Sequence, residues 1–210
     1  MASNINHKQS GKIYIASMNL RGIRAPKPHP NCLSLNVTSA QARDAPERHD
    51  FSPMSAIEGG YKGYFCFENY WQSGKVFEGI PHQQSQRWWL SLKEPKRRYP
   101  MGKGRKVLYA IFNGQQYGYI ESRKHVYVPE YYQLILNKPS LIKWQNLINQ
   151  GHDVVIYDFD GPRSSTSEPL CLELTKELLI DKINDSTHPF GHGYVVGATL
   201  MGLVPQDYVQ

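Results

Sequence analysis

Apolar and polar positions alternate in two short runs near the start of the chain. Residues 12–18, KIYIASM, and residues 32–37, CLSLNV, repeat with a period of two and are rich in β-formers, so each predicts a strand. RGIRAPKPHPN (21–31) lies between them, holds three prolines and predicts a loop. The polar stretch TSAQARDAPERHDFSPMS predicts a short helix around Ala40, and the glycines of GGYKGYFC (59–66) predict a hairpin-like turn. From Phe67 to about Phe77 there is no proline and the pattern suits a helix; QSQRWWLSL (84–92) suits another. KEPKRRYPMGKGRK (93–106) is broken by Pro and Gly and predicts a loop. VLYAIFNGQQYGYIE (107–121) reads as a buried helix or strand, a turn and a strand, and periodicity leaves the first element open.

Farther along, PEYYQLILNK and SLIKWQNLINQG predict two amphipathic helices, with Pro129 in a first helical turn and Gly151 as a C-terminal cap. DVVIYDFDG (153–161) is the plainest strand, an apolar run ending in acidic residues. SEPLCLELTKELLIDKIND contains a helix, and HPFGHGYVVGATLMGLVP (188–205) is a glycine-bearing loop that enters a final helix. Strands and helices alternate without a regular βαβ rhythm. The expected class is therefore α+β: one compact domain over residues 12–210, a mixed sheet flanked by helices, preceded by a loose arm at residues 1–11.

Composition narrows this picture. The chain of 210 residues is long enough for one well-cored domain and short for two. No apolar run reaches membrane-spanning length, and the polar start MASNINHKQSGK lacks the apolar core of a secretory signal. The three cysteines, Cys32, Cys66 and Cys171, are odd in number and far apart, which points to a reducing, cytoplasmic setting without a disulfide framework or a zinc pattern. The histidines show no metal-ligand spacing, so no metal and no cofactor is expected. A net charge of +6 favours a polyanionic partner such as a nucleotide or nucleic acid.

Four places could carry chemistry. On a helix, Glu68, Gln72 and Lys75 fall at offsets of zero, four and seven and would share one face. A carboxylate beside a lysine in an apolar wall can do acid–base work, and the lysine can act as a nucleophile; an exposed Glu–Lys stripe beside an aromatic core would have the same spacing. GHGYVVG (191–197) opens a helix, so its glycines either let backbone amides approach a phosphate or make a tight turn with close packing. Asp158 and Asp160 stand at a strand end, where they could bind a ribose hydroxyl or a metal, or cap a loop. The run Lys93, Lys96, Arg97, Arg98, Lys103, Arg105, Lys106, with Tyr99 among them, suits a phosphate backbone or a solvated loop.

Two islands of the chain resemble a known family. FSPMSAIEGGYKGYFCFENYWQSGK, through Phe51, Pro53, Gly60, Tyr64, Glu68, Gln72 and Lys75, is similar to the front of the NADAR family, named for its association with NAD and ADP-ribose. PFGHGYVVGATLMGL, through Gly191, Gly193, Gly197, Leu200 and Met201, is similar to that family's closing Gly-rich loop and Leu-Met helix. Phe190 stands where the family usually has Trp, the family's Arg after that helix is missing, and residues 107–165 have no counterpart.

The resemblance implies an N-glycosidase-like fold and a hydrolase of ribose N-glycosidic bonds, in ADP-ribosylated bases or nucleotide metabolites. Catalysis then falls to Glu68 and Lys75. Substrate binding falls to Trp71, Gln72, Asp158, Asp160, Gly191, His192 and Gly193, and phosphate or nucleic-acid binding to Lys96, Arg97, Arg98, Lys103 and Arg105. The partner is a nucleotide or ADP-ribosylated nucleic acid, with no membrane. The alternative is a non-catalytic protein that binds or sequesters a nucleotide or nucleic acid.

Overall fold

In the computed structural model, which describes residues 10–20 and 32–210, two sheets lie among helices in an α+β arrangement. The 21–31 loop and all of the N-terminal arm before residue 10 lie outside the described residues. The first sheet has the order β2 (Leu33–Asn36), β6 (Val154–Asp158), β1 (Ile13–Ser17), β7 (Cys171–Glu173). β6 runs parallel to both neighbours, and β7 closes one edge antiparallel to β1. Every residue of β6 is buried, which is why VVIY, before the terminal Asp158, is a continuous apolar run: a central strand covered on both faces has no solvated side to show. Ile15 pairs with Ile156, and Leu35 pairs with Ile156 from the other side, so the three side chains enter one core layer. Ala16, Val155 and Tyr157 face the opposite way and form a smaller cluster.

The last helix, α8 (His192–Leu200), is buried along its whole length and packs on β1 and β6. Its mixed apolar composition fits a helix covered all round. Gly197 sets how close it lies: a Cβ there would stand 2.3 Å from Leu174 Cδ2 and 3.1 Å from Ile156 Cδ1. The second sheet is the antiparallel set β3 (Lys75–Phe77), β4 (Val107–Phe112), β5 (Gln115–Tyr117). Asn113 and Gly114, with φ of 51° and 78°, join β4 to β5 in the left-handed conformation that a two-residue hairpin needs.

The remaining helices are α1 (Pro46–Phe51), α2 (Phe67–Ser73), α3 (His82–Ser91), α4 (Tyr119–Ser122), α5 (Val128–Ile135), α6 (Pro139–Asn149) and α7 (Lys176–Asn184). α4 passes into α5 through a π-helical segment, Arg123–Tyr127. Pro129 explains its place. Proline offers no N–H to the carbonyl four residues back and its ring crowds that carbonyl, so the turn before it widens. An aromatic group made by Phe67, Tyr70, Phe112, Tyr127 and Tyr131 locks α2, β4 and this widened helix together, with centroid spacings of 5.3–5.5 Å in the contacts Phe67–Tyr127, Phe67–Tyr131 and Tyr70–Phe112.

Several local expectations are corrected. The helix expected around Ala40 begins instead at Pro46, where proline suits the first turn. The helix expected from Phe67 to Phe77 stops at Ser73, and Lys75 belongs to β3, paired with Ala110. Gly74 makes the break: a Cβ there would lie 2.2 Å from the Phe112 ring, so β4 can cross at this point only over a glycine. The glycines of residues 59–66 form a turn with one Tyr61–Tyr64 bridge rather than a hairpin of strands. Residues 107–112 are a strand, the segment after Tyr117 is helical, and β7 has no counterpart among the expected elements. The three cysteines are free thiols. No helix of the described residues is long and apolar enough to cross a membrane.

Gly197→Ala tests the close approach of α8. The added methyl has to displace Leu174 and Ile156, both buried, so the variant should lose about 1–3 kcal/mol of stability. Urea unfolding should show this as a lower midpoint with an unchanged slope.

Candidate active site

The C-terminal end of β6 and the N-terminal end of α8 meet at Asp158, which is 1% exposed. Its Oδ2 accepts the Gly193 backbone N–H at 2.7 Å and lies 3.4 Å from His192 Nδ1. His192 Nε2 lies 2.9 Å from the Val37 carbonyl, an acceptor, so Nε2 carries the proton of that bond. The contact with Asp158 is an ion pair when the ring is doubly protonated. Gly191 and Gly193 make the approach possible, since a Cβ on the first would lie 2.4 Å from Asp158 Oδ2 and on the second 2.8 Å from Asp158 Cβ. The amide of Gly193 is thus taken by a carboxylate of the protein itself.

α2 brings up the opposite wall. The Glu68 N–H donates to Pro53 O at 2.8 Å, and Gln72 Nε2, one turn on, donates to Glu68 Oε1 at 2.8 Å. A cleft runs past this carboxylate in two lobes. The first, about 240 Å³, is lined by Ser39, Arg97, Arg98, Asp158 and His192 among others. The second, about 140 Å³, is lined by Trp71, Gln72, Lys75, Tyr119, Arg123 and Phe190 among others. Glu68, Tyr127 and Asp160 line both and mark the junction.

Burial pushes the Glu68 carboxyl above its ordinary range, against the Gln72 hydrogen bond and the charges of Lys75 and His192, which pull it down. Asp160 is raised by burial and by the neighbouring Asp158 charge. Lys75 is lowered by burial, although Glu68 and Asp160 oppose the shift. Acid and amine are both moved toward neutrality, which is the condition for proton transfer and for an unprotonated, nucleophilic lysine.

Of the residues expected from the sequence, Glu68, Trp71, Gln72, Lys75, Asp158, Asp160, His192, Arg97 and Arg98 line the cleft, and Gly191 and Gly193 pack on Asp158 behind it. Lys75 arrives on the first residue of β3, not on the helical face with Glu68 and Gln72. Arg97 donates through Nη2 to Ser39 Oγ at 3.1 Å and lies 5.1 Å over the Phe159 ring. Lys96, Lys103 and Arg105 do not line either lobe; Lys96 pairs with Glu94 at 2.7 Å and Arg105 Nη1 donates to Glu78 O at 3.1 Å. Ser39, Tyr119, Arg123 and Tyr127 were not anticipated. The proline inside the helical run 119–135 was the one available signal for the last two, because it marks where the helix widens.

A carboxyl with a raised folded-state pKa holds a proton that the unfolded chain has already released, so stability falls as pH rises from about 4.5 through the raised value. Glu68→Gln removes that penalty. Its thermal midpoint should exceed that of the wild type near neutral pH, and the gain should vanish below about pH 4, where both states bind the proton. An equal gain at both pH values, read by differential scanning calorimetry, would show that Glu68 is not held against ionisation.

Comparison of the chain with protein-family models, with curated proteins and with solved structures finds no match, so the functional reading rests on the chemistry of the cleft.

Proposed function

We propose that the cleft hydrolyses a ribose N-glycosidic bond in an ADP-ribosylated base or a related nucleotide. The observation that carries this reading is Glu68, a carboxyl raised by burial, at the junction of a lobe that presents Arg97 and Arg98 and a lobe walled by aromatic rings. A nucleotide has the same division: anionic phosphates on one side of the ribose and a flat base on the other. Placing the ribose at the junction puts its C1–N bond beside Glu68.

Cleavage of that bond leaves the electron pair on nitrogen and positive charge on C1 and the ring oxygen. Protonated Glu68 supplies the proton to the departing nitrogen, and the resulting carboxylate stabilises the oxocarbenium ion. Gln72 holds one carboxyl oxygen and so sets its direction. Water adds through its oxygen to C1 and passes a proton to the Glu68 carboxylate, which completes the hydrolysis and restores the acid. In the ring-opened sugar C1 is an aldehyde, which the unprotonated Lys75 amine can attack, losing water to form an imine that a second water reverses. Asp160 is positioned at the junction to accept a ribose hydroxyl. Arg97 and Arg98 offer guanidinium groups to the phosphates, and Trp71 and Tyr127 provide ring faces for the base.

The test is base release by mass spectrometry from a panel of ADP-ribosylated DNA, RNA and free nucleotides. Glu68→Gln should lower kcat by about 10²–10⁴ while leaving the calorimetric Kd nearly unchanged, because the lost proton matters in the transition state and little in the ground state. Borohydride should trap an adduct on the wild type and none on Lys75→Ala. Tight nucleotide binding without release from any substrate would make the protein a sequestering one. Turnover of Glu68→Gln at the wild-type rate would remove this carboxyl from the mechanism.

A further inference from the structure

Arg123 is 2% exposed, and among the described residues no carboxylate forms an ion pair with it. Nη1 donates to Asp185 O and Nη2 to His188 O, each at 2.7 Å, and the guanidinium lies 4.1 Å over the Tyr119 ring. These contacts fix the group at the C-terminal end of α7, where carbonyl dipoles favour a cation. They use two of its five N–H donors. A buried guanidinium with no carboxylate partner is an incomplete arrangement, and this one borders a cavity.

The second lobe has a marked polarity. Glu68 and Asp160 stand where it joins the first lobe, Lys75 borders the second lobe with its amine opposed by both of their charges, and Arg123, Tyr119 and Phe190 border the second lobe alone. Between these ends the walls are flat and aromatic: Trp71 is stacked on Phe112 at 5.5 Å and Phe190 on Tyr194 at 4.7 Å. The two acids and the Lys75 amine that faces their charges lie toward the junction, ring faces run along the sides, and Arg123 is the cation of the lobe that no carboxylate answers. We propose that this lobe takes a planar aromatic ring bearing a carboxylate, with the carboxylate on Arg123 and the opposite ring edge toward Glu68. A carboxylate is favoured over a phosphate for two reasons. Its planar pair of oxygens matches the guanidinium fork, and its single charge is opposed less by the two acids at the junction. This rests on the glycosidase reading only where it makes the ring the departing group of the reaction; the binding itself does not.

Benzoate and benzamide, which share shape and differ in charge, are the probes. Their affinities should be measured by calorimetry and by displacement of the Trp71 indole N–H resonance, assigned with Trp71→Phe. The wild type should bind benzoate at least tenfold more tightly than benzamide. Arg123→Gln should level the two, and Arg123→Lys should restore part of the preference. Equal affinities in the wild type, no binding of benzoate in the millimolar range, or a preference that survives in Arg123→Gln would each overturn the proposal. The wild-type comparison decides even if the variants fail to fold. Benzoate preference without cleavage of any N-riboside would leave this site standing and remove the glycosidase reading; cleavage without the preference would do the reverse.

Discussion

Asp158 holds the cleft together. It is a buried carboxylate at the end of a fully buried strand, held by the Gly193 N–H at the N-terminus of α8 and flanked by the His192 ring. Through His192 the same unit reaches the Val37 carbonyl, just past β2. Three separate parts of the chain are thereby fixed at one point, and the mouth of the first lobe is built on them. The glycines that read as a phosphate cradle are required instead for this contact. Any larger residue would push α8 off the carboxylate and open the cleft from behind.

The other wall depends on ring packing. α2 carries Glu68 and Gln72 on one side and Phe67 and Tyr70 on the other, so the aromatic group that anchors the helix also sets the height of the carboxyl over the cavity. Burial then perturbs Glu68, Lys75 and Asp160 together. The perturbation is a stability cost located in the cleft and offset by packing elsewhere, a distribution common at reactive sites.

Much of the fold was legible in the chain. β1, β2 and β6 follow from alternation and from one continuous apolar run, α5, α6 and α7 from apolar periodicity and caps, and α8 from the glycine-bearing loop that enters it; α3 was also expected as a helix. What escaped depends on distant contacts. β7 is three residues whose identity as a strand comes from pairing with β1, and the end of α2 at Gly74 is imposed by Phe112, which lies 38 positions on in the sequence. The candidate site shows the same division. Glu68 and Gln72 are neighbours because of local helical geometry, which spacing encodes. Lys75 reaches the same lobe through a strand, so its helical offset gave the right cavity by an unsuitable argument. Arg123 and Tyr127 could not be assigned from regular periodicity because their segment is not a regular helix.

That irregular segment bears on which sequence changes the molecule can absorb. A π-helical turn is one residue more than an α-helical turn needs, so removing a single residue between Arg123 and Tyr127 would let the helix close up into regular form. Because the widened turn already takes up that residue, the helical parts before and after it would keep roughly their mutual orientation, and the side chains of the segment itself, Arg123 and Tyr127 among them, would shift relative to the cleft. The widened turn is thus where this helix can change length by one residue and keep its packing, at the expense of the cleft lining that the extra residue supplies.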